Sequence, residues 1–341
     1  MPPIRAHGSQ LMADGHPFFA FGFNYSGAGP GRFYSFRDRS PGALGRYIDG
    51  MAAARRMGAN TLRIYLQLFD FIERHDGRVE LRGRALANLR RVLDAARRLG
   101  LYLDLTGNLV WKPGGAPSWY NRLPFRARWL VQARFWSAVS RATAASPAIL
   151  CYELTSEPVI AAGAPRWYTG SLGRLNFIQY VVREAGTADP DALAREWIRD
   201  LKGVIRRHDP HHLIGLGLLP STRGPFGPRN VAGLLDVLLV HLYPETGHEA
   251  RAQRVIRAFA SRRKPLLIGE TFMLRSNAAT QRRFLLASRP YVSGVLSFLS
   301  PSQGGSARSR AERGASALFR VNLRTFLSLR DRLEAGARAG L

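Results

Sequence analysis

Eight short apolar runs, separated by amphipathic stretches, constrain the fold of this 341-residue chain more than any other feature of its sequence. Each run has the length of a buried β-strand, and the stretches between them repeat apolar residues with the period of an α-helix. Strands that alternate with helices favour a closed parallel α/β barrel over an open sheet. We therefore predict a single (β/α)8 TIM barrel domain over residues 1–341. The predicted strands are Phe19–Phe23, Thr61–Leu66, Leu101–Leu105, Ile149–Leu154, Leu213–Leu219, Val237–Leu242, Leu266–Gly269 and Val295–Leu299.

The two ends of the chain fall outside this alternation. Residues 4–18 contain an Asp14-Gly15 turn, which predicts a hairpin that caps the bottom of the barrel. Residues 309–341 have an arginine-rich helical pattern, and we interpret them as the last barrel helix with an extension. The apolar residues predicted to dock this helix are Leu318, Phe319, Leu323, Phe326 and Leu327.

Composition excludes some classes of protein and leaves others open. The apolar stretches are each only a handful of residues long, so no transmembrane segment is predicted. The segment Met1–Arg5 lacks the apolar core of a signal peptide, which fits a cytoplasmic protein or a secreted one whose leader has been removed. Cys151 is the only cysteine, so no intramolecular disulfide and no cysteine metal cluster can form. Its place within a predicted strand indicates a small buried side chain.

The net charge of +26 comes from 50 Lys and Arg residues against 24 Asp and Glu residues. The arginines scatter along predicted helix surfaces and do not form one patch with interleaved aromatic residues, so no specific nucleic-acid site is expected. A field of this sign would still attract an anionic polymer, an acidic glycan or an anionic membrane surface. The positive charge therefore indicates either one of these partners or an ordinary solvated surface.

Two glutamates follow two of the predicted buried strands. Glu157 comes just after the fourth strand and Glu270 at the end of the seventh, and a carboxylate in such a place is costly to bury without a partner or a task. In one barrel these strands lie roughly across the mouth from each other, and two facing carboxylates are what glycosidic bond cleavage requires. The alternative is that each glutamate pairs with Arg63 or another barrel arginine. Glu153 is a further candidate acid, but it lies deeper in its strand and is expected to pair internally.

Polar residues on other strands are candidates for the same site. Arg63, on the second strand, could orient a carboxylate and keep it ionised. His241 and Tyr243 are two residues apart at the end of the sixth strand, so both side chains can point the same way. The Tyr243 hydroxyl could then donate to Glu270 and hold it ionised. A purely structural hydrogen bond is the alternative for His241.

Two long segments, residues 106–126 and 158–189, follow the third and fourth strands and are rich in aromatic residues. We predict both as loops at the C-terminal ends of strands, where barrel enzymes build their sites. Asn108 and Trp111, in the first loop, could bind sugar hydroxyls and stack on a sugar ring. Simple packing within the loop is the alternative for its aromatic residues.

The order and spacing of these residues resemble clan A glycoside hydrolases, closest to family 5, the cellulase and endo-β-mannanase type. The resemblance extends from about Ile4 to Ser300. In that family the acid/base glutamate stands in an Asn-Glu-Pro motif after strand four, which matches Glu157, and the nucleophile ends strand seven, which matches Glu270. The other matches are Arg63 for the strand-two arginine and His241 and Tyr243 for the strand-six His-x-Tyr pair. The resemblance implies a retaining mechanism that needs no metal or other cofactor.

Three departures from the family pattern fall in the part of the site that binds the sugar being cleaved. Ser156 replaces the asparagine that usually binds the 2-hydroxyl, and serine lacks one of its donors. Thr106 to Asn108 occupy the place of the usual strand-three histidine, and Phe298 or Leu299 that of the usual strand-eight tryptophan. An unusual sugar, a reduced rate, transglycosylation or lost activity would each fit these changes.

The sequence therefore predicts a retaining glycoside hydrolase that acts on an oligo- or polysaccharide, either a β-glucan, a mannan or a related β-glycan. Glu157 is the predicted acid/base and Glu270 the predicted nucleophile. The substrate-binding candidates are Arg63, Asn108, Trp111, Ser156, His241 and Tyr243. The alternative is a catalytically degenerate barrel that binds carbohydrate, or an anionic polymer, without hydrolysis.

Overall fold

A closed barrel of eight parallel strands forms the centre of the computed structural model, which describes residues 1–27, 33–109, 115–172, 175–298 and 310–338. Each strand pairs with the next along the chain, and the eighth pairs with the first. All eight predicted strands are confirmed, with bounds that match or differ by one to three residues. The strands are β1 Ala20–Tyr25, β2 Thr61–Gln67, β3 Tyr102–Asn108, β4 Ile149–Ser156, β5 Leu213–Leu218, β6 Leu238–His241, β7 Leu266–Thr271 and β8 Gly294–Ser297.

Helices follow the strands and pack on the outside of the barrel. After β5 the described chain has only a short helix, Pro228–Val231, followed by a 3₁₀ turn, Ala232–Leu234. The other single-turn helices are Leu68–Phe71, Ser118–Asn121 and the 3₁₀ helix Arg289–Tyr291. None of the described helices has both the length and the apolar character needed to cross a membrane. The longer helices are α1 Ala43–Arg56, α2 Gly83–Leu99, α3 Phe125–Thr143, α4 Pro190–Arg206, α5 Glu249–Ala260, α6 Ala278–Ser288, α7 Arg310–Leu327 and α8 Arg330–Arg338.

Helix α4 shows how the sequence specifies these elements. It begins where the Asp189 side chain accepts a hydrogen bond from the Asp191 amide, with proline in its first turn, and both features stabilise a helix N-terminus. Its apolar residues recur every three or four positions, so they form one face that is buried against the barrel. The buried residues of this helix are Leu193, Ala194, Trp197, Ile198, Leu201 and Ile205.

The N-terminal residues cover the bottom of the barrel, as predicted. The expected hairpin has a third strand, so the cap is an antiparallel sheet of Ile4–His7, Gln10–Ala13 and His16–Phe18. Ile4 and Leu11 are fully buried and pack with apolar residues at the beginnings of the barrel strands. The cap thereby closes the end of the barrel opposite Glu157 and Glu270.

The segments at the C-terminal ends of the strands contain more regular structure than predicted. Residues 158–189, predicted as a loop, include a three-stranded sheet of Pro158–Ile160, Tyr168–Leu172 and Leu175–Val182, which we call the side sheet. A hairpin, Ile72–His75 with Arg78–Leu81, follows β2 and was not predicted. Strand β3 also extends to Asn108, so the first residues of the other predicted loop belong to the barrel.

The C-terminal segment forms two helices, α7 and α8, where one was expected. Phe326 of α7 is buried and stacks on Phe21 of β1, with the ring centroids 4.4 Å apart. Phe319 is also buried, whereas Leu318 is 39% exposed, so its predicted place in the docking face is wrong. The helix turns Leu318 away from the barrel because it lies one residue, about 100°, from Phe319.

Asp209, in the turn before β5, ties that turn to β4. Its carboxylate accepts the His211 and His212 amides at 3.0 Å, the His212 Nδ1 at 2.6 Å and the Tyr152 hydroxyl at 2.8 Å. Burial alone would raise the pKa of Asp209, but the hydrogen bonds from His212 and Tyr152 lower it below its ordinary value. The carboxylate is therefore stabilised in its ionised form.

We expect Asp209→Asn to lower the free energy of unfolding by about 1.5–3 kcal/mol at neutral pH, since it removes hydrogen bonds to a charged group. Because the folded pKa is depressed, this contribution is present above about pH 3.9 and is lost as pH falls below it. The difference in the free energy of unfolding between wild type and variant should therefore become smaller in acid. Denaturant unfolding from pH 3 to 7 measures this gap, and the exposed Asp94→Asn on α2 is the control. An equal gap at every pH would contradict the expectation.

Candidate active site

Arg63 is the centre of a buried polar network inside the barrel. Its side chain is fully buried, and Nε and Nη2 donate to the two carboxylate oxygens of Glu153 at 2.8 and 2.5 Å. Nη1 donates to Glu270 Oε1 and to Asn24 Oδ1, the latter at 2.7 Å, and Nη2 also reaches Ser156 Oγ at 3.1 Å. One guanidinium thus joins two carboxylates from β4 and β7. The expectation that Glu153 pairs internally agrees with this geometry.

Glu270, at the end of β7, has both carboxylate oxygens held. Oε1 accepts from Arg63, and Oε2 accepts from the Tyr243 hydroxyl at 2.6 Å. Burial alone would raise the pKa of Glu270, but His241, Arg63 and the Tyr243 hydroxyl together lower it below its ordinary value. Glu270 is therefore an ionised carboxylate whose two oxygens are fixed in orientation.

Glu157 follows β4 in a conformation that non-glycine residues rarely adopt. Its φ is 50°, and its backbone is held by hydrogen bonds from its amide to Gly217 O at 2.8 Å and from the Gln179 amide to its carbonyl at 3.0 Å. Gly217 lies on β5 and Gln179 on the side sheet, so two neighbouring elements fix the turn. A left-handed residue that the surrounding structure holds in this way is typical of functional sites.

The Glu157 side chain has a different environment from that of Glu270. Oε1 accepts from His241 Nδ1 at 2.8 Å, whereas Oε2 is buried and has no hydrogen-bond partner among the described residues. Burial raises the pKa of Glu157 above its ordinary value, and the hydrogen bond and charge of His241 only partly oppose that rise. The two carboxyl groups therefore have pKa shifts of opposite direction.

His241 lies between the two glutamates. Its Nδ1 is 3.6 Å from Glu270 Oε1, and one oxygen of each glutamate and a ring nitrogen all lie within 4.8 Å of one another. Burial alone would lower the pKa of His241, but the negative charges of Glu270 and Glu157 raise it. These three residues are close enough together to reach one metal ion. The hydrogen bonds from Arg63 and Tyr243 to the two oxygens of Glu270 instead satisfy that carboxylate without a metal ion.

Gly217 has no side chain, and the polar cluster occupies the space that a side chain would fill. A Cβ at position 217 would overlap Glu153 Oε1 and lie 3.0 Å from His241 Nε2. Glycine is therefore needed here because a side chain would displace the groups that contact Arg63 and Glu157.

We expect Gly217→Ala to cost about 1–3 kcal/mol of stability, as overpacking does. If the cluster catalyses a reaction, a displacement of about 1 Å should also lower kcat/KM by roughly 10²-fold. Unfolding and steady-state kinetics measure the two effects, with Gly203→Ala as the control because a Cβ there meets no atom within 4 Å. Unchanged kinetics in the Gly217 variant would contradict the role assigned to this glycine.

The structure brings together most of the predicted site residues. Asn108, at the end of β3, is buried but its side chain makes no hydrogen bond within the described part of the chain, and Trp111 lies outside the described residues. Trp119 packs edge-on against Phe69 and Tyr120, as loop packing predicts. The predicted residues that share the network are Glu157, Glu270, Arg63, Ser156, His241 and Tyr243.

Two residues of the network, Asn24 and Tyr65, were missed as site residues. Asn24 Nδ2 donates to the carbonyls of Gly269 at 2.8 Å and Ser297 at 3.2 Å, so it links β1 to β7 and β8. Its Oδ1 accepts from Arg63 and, at 2.7 Å, from the Tyr65 hydroxyl. One feature of the sequence could have predicted Tyr65 as a site residue. It is two residues from Arg63 and so shares its face of β2.

Besides Ser156, the other two changed positions also contact this network. Thr106 Oγ1 donates weakly to Glu153 Oε2 at 3.4 Å, in the place of the expected strand-three histidine. The Phe298 ring packs edge-on against Tyr243, with centroids 6.0 Å apart, whereas Leu299 lies outside the described residues. Phe298 thus supports the tyrosine that donates to Glu270.

The closed barrel of eight parallel strands is also the fold of several solved glycosidases, to which this chain is similar. Solved structures confirm the predicted family 5-like fold. An exo-β-1,4-mannosidase from Opitutaceae bacterium strain TAV5 superposes with a TM-score of 0.70 at 17% identity, over 98% of this chain and 63% of that protein. This chain therefore spans less than two thirds of that enzyme's length.

Two other similar structures agree with this fold. An endo-1,4-β-mannanase from Eisenia fetida has a TM-score of 0.63 at 17% identity, over 97% of this chain and 96% of that one. A GH5_18 protein from Streptomyces cattleya, solved with Manβ1-4GlcNAc, has a TM-score of 0.65 at 18% identity, over 94% and 81% of the two chains. No protein-family model and no curated protein matches the sequence. At these identities the likeness establishes the fold alone.

Proposed function

We propose that this protein is a retaining glycoside hydrolase in which Glu270 is the nucleophile and Glu157 is the acid/base. The observation that carries this proposal is the opposite environment of two nearby carboxyl groups. An oxygen of one lies within 4.8 Å of an oxygen of the other, and their pKa values shift in opposite directions. Retaining enzymes have their two carboxyl groups about 5–5.5 Å apart, with one ionised and the other protonated.

Each step of a double displacement has a group in place. Glu270 attacks the anomeric carbon, with Arg63 and Tyr243 fixing its oxygens, and a covalent glycosyl-enzyme forms as the leaving oxygen departs. Glu157 gives its proton to that oxygen. Water then attacks the anomeric carbon, its proton goes to Glu157, and the bond to Glu270 breaks.

The proton of Glu157 is assigned to Oε2. His241 donates to Oε1, so that oxygen is occupied as an acceptor, whereas Oε2 has no partner in the described residues. A buried polar atom without a partner is costly, and a protonated Oε2 facing the glycosidic oxygen would gain one when substrate binds. His241 is therefore proposed to orient the acid and not to donate the proton itself.

The substrate is proposed to be a β-mannan, a β-glucan or a related β-linked glycan. The similar solved structures include an exo-β-1,4-mannosidase, an endo-1,4-β-mannanase and a β-1,4-D-mannanase, which supports the mannan type. Carbohydrate binding without hydrolysis is the second candidate, and one observation favours it. The Ser156 hydroxyl contacts Arg63 and the Thr106 hydroxyl contacts Glu153, so the side chains at these two changed positions already have partners within the protein.

The test is hydrolysis of β-mannan, β-glucan, their oligosaccharides, acidic β-glycans and aryl β-glycosides by wild type beside Glu270→Gln, with and without EDTA. Cleavage by wild type alone, unaffected by EDTA and with retained anomeric configuration by NMR, is the expected result. Inverted product would contradict the assigned roles. Tight binding of an intact glycan by wild type would support the binding-only barrel. Binding that falls steeply with salt would indicate an anionic polymer.

Activity is expected to follow a bell-shaped pH profile. The acid limb should lie below the ordinary range of a glutamate, because the lowered pKa of Glu270 keeps it ionised until low pH. The alkaline limb should lie above that range, because the raised pKa of Glu157 retains its proton. Measuring kcat/KM against pH locates both limbs, and Glu157→Gln should abolish the alkaline one with an activated substrate. An alkaline limb that survives this change would assign it to another group.

A further inference from the structure

Asp104 is a buried carboxyl group that the proposed mechanism does not use. It lies on β3 beside Arg63 of β2 and Cys151 of β4, and its side chain is fully buried. Oδ1 accepts a long hydrogen bond from the Cys151 thiol at 3.4 Å, and Cys151 is buried as predicted. Oδ2 is 3.8 Å from Arg63 Nε and has no hydrogen-bond partner among the described residues.

Arg63 has no donor left for Asp104. A guanidinium has five N–H groups. Nε is used by Glu153, both Nη2 hydrogens by Glu153 and Ser156, and Nη1 is shared among three acceptors. Those three acceptors are Asn24 Oδ1, the Tyr65 hydroxyl and Glu270 Oε1. An ionised Asp104 would therefore be a buried anion whose only donor is a thiol, and such a group is costly.

A second carboxylate faces Asp104. The ionisable groups around it are Arg63 and Tyr65 on β2 and Cys151 and Glu153 on β4. Arg63 Nε is 2.8 Å from Glu153 Oε2 and 3.8 Å from Asp104 Oδ2, so the two carboxyl groups face the same N–H group. Two buried carboxyl groups at one such site repel each other unless one of them carries a proton. Glu153 already accepts two N–H groups of Arg63, so the proton belongs on Asp104.

We propose that Asp104 keeps its proton in the folded protein and donates it through Oδ2 to Glu153, so that Arg63 serves two carboxylates and not three. Burial and the adjacent Glu153 raise the pKa of Asp104 well above its usual range, which agrees with this arrangement. The consequence for catalysis rests on the proposed function. With Asp104 neutral, the charge of Arg63 remains available to keep Glu270 ionised, and Asp104 is a positioning residue.

Infrared spectroscopy tests the proton without any need for activity. Wild type at neutral pH should show the carbonyl stretch of a buried protonated carboxyl group. Asp104→Asn should lose this band, and Glu157→Gln should keep it. Cys151→Ala removes the donor to Oδ1 and should shift the same band to higher frequency, which gives a second assignment if Asp104→Asn does not fold. A wild-type spectrum with no band that responds to changes at Asp104 or Cys151 would overturn the proposal.

The pH dependence of unfolding gives an independent measure. A carboxyl group whose folded pKa is raised contributes most to stability below its unfolded pKa of about 3.9, and this contribution is lost as pH rises toward the folded pKa. The unfolding equilibrium constant of wild type, relative to that of Asp104→Asn, should thus rise about tenfold per pH unit above pH 5. A ratio that stays constant above pH 5 would show that Asp104 is ionised in the folded protein.

Kinetics then test the positioning role. Asp104→Asn has no charge and keeps a donor for Glu153, so the acid limb of kcat/KM should stay where it is in wild type. Asp104→Ala removes the donor and should lower activity, which the asparagine variant restores. An acid limb that moves to lower pH in Asp104→Asn would indicate the loss of a negative charge and would contradict the proposal. If wild type cleaves no glycan, the infrared and unfolding results still decide where the proton lies.

Discussion

The Glu157→Gln variant is expected to form a glycosyl-enzyme readily from an activated aryl β-glycoside and then to stall. The departing phenolate needs little protonation, so the first step survives, whereas the second step lacks the base that activates water. On natural glycans, whose leaving groups need the proton, we expect kcat to fall by roughly 10²–10⁴-fold. Azide needs no base and should restore turnover of the aryl glycoside. Burst kinetics and product analysis measure each of these effects.

The Glu270→Gln variant is the comparison that separates the two roles. The loss should be similar for activated and natural substrates, because without the nucleophile no covalent intermediate forms whatever the leaving group. It should show no burst. Equal losses in both variants, with no rescue of Glu157→Gln by azide, would count against these assignments. Folding of each variant is checked by its thermal unfolding, so that a collapsed barrel is not mistaken for lost chemistry.

Replacing Arg63 is expected to have the largest effect on stability in this chain. Arg63→Met leaves Glu153 and Glu270 as buried carboxylates without their cation, and breaking a buried pair in this way costs about 3–5 kcal/mol. Arg63→Lys keeps the charge but cannot reproduce the planar fork that reaches both carboxylates, so we expect it to be more stable than the methionine variant and still poorly active. Denaturant unfolding and kcat/KM measure the two effects.

Arg128 offers a matched control for the arginine prediction. It is also almost fully buried, but its guanidinium stacks on Trp167 and Tyr120, with Cζ 3.3 and 4.2 Å from the two ring centroids. No carboxylate pairs with it among the described residues. Arg128→Met should therefore reduce stability far less than Arg63→Met and leave the pH profile unchanged. A similar loss in both variants would show that burial of the arginine stem, and not charge pairing, dominates.

The barrel was predictable because its strands are buried on both faces. Such strands appear in the sequence as continuous apolar runs, and the helices between them repeat with a period of 3.6 residues. The side sheet after β4 was not predictable in this way. Its strand Pro158–Ile160 has only three residues, and Tyr168–Leu172 mixes polar with apolar residues. Their pairing therefore depends on the third strand and on the neighbouring Glu157 turn.

The candidate site was predictable only in part, for a related reason. A polar residue at the end of an apolar run, such as Glu157, Glu270 or Tyr243, stands out in a sequence. Asn24 and Asp104 do not stand out, because each lies inside a buried strand between two apolar neighbours. Their importance comes from what lies across the barrel, where one guanidinium must be shared among acceptors contributed by several strands.

The sequence by itself determined that eight strands would close into a barrel and that two glutamates would lie at its C-terminal end. Apolar burial and strand periodicity are local properties, and they specify which residues face inward at which strand end. Only the tertiary structure decided the ionisation of those residues. Burial alone would raise the pKa of both Glu157 and Glu270, and the placement of His241, Arg63 and Tyr243 lowers that of Glu270 but leaves that of Glu157 raised. That difference depends on distances of 2.6–3.6 Å between residues on β6, on β7 and in the segments after β4 and β6, which no local pattern encodes.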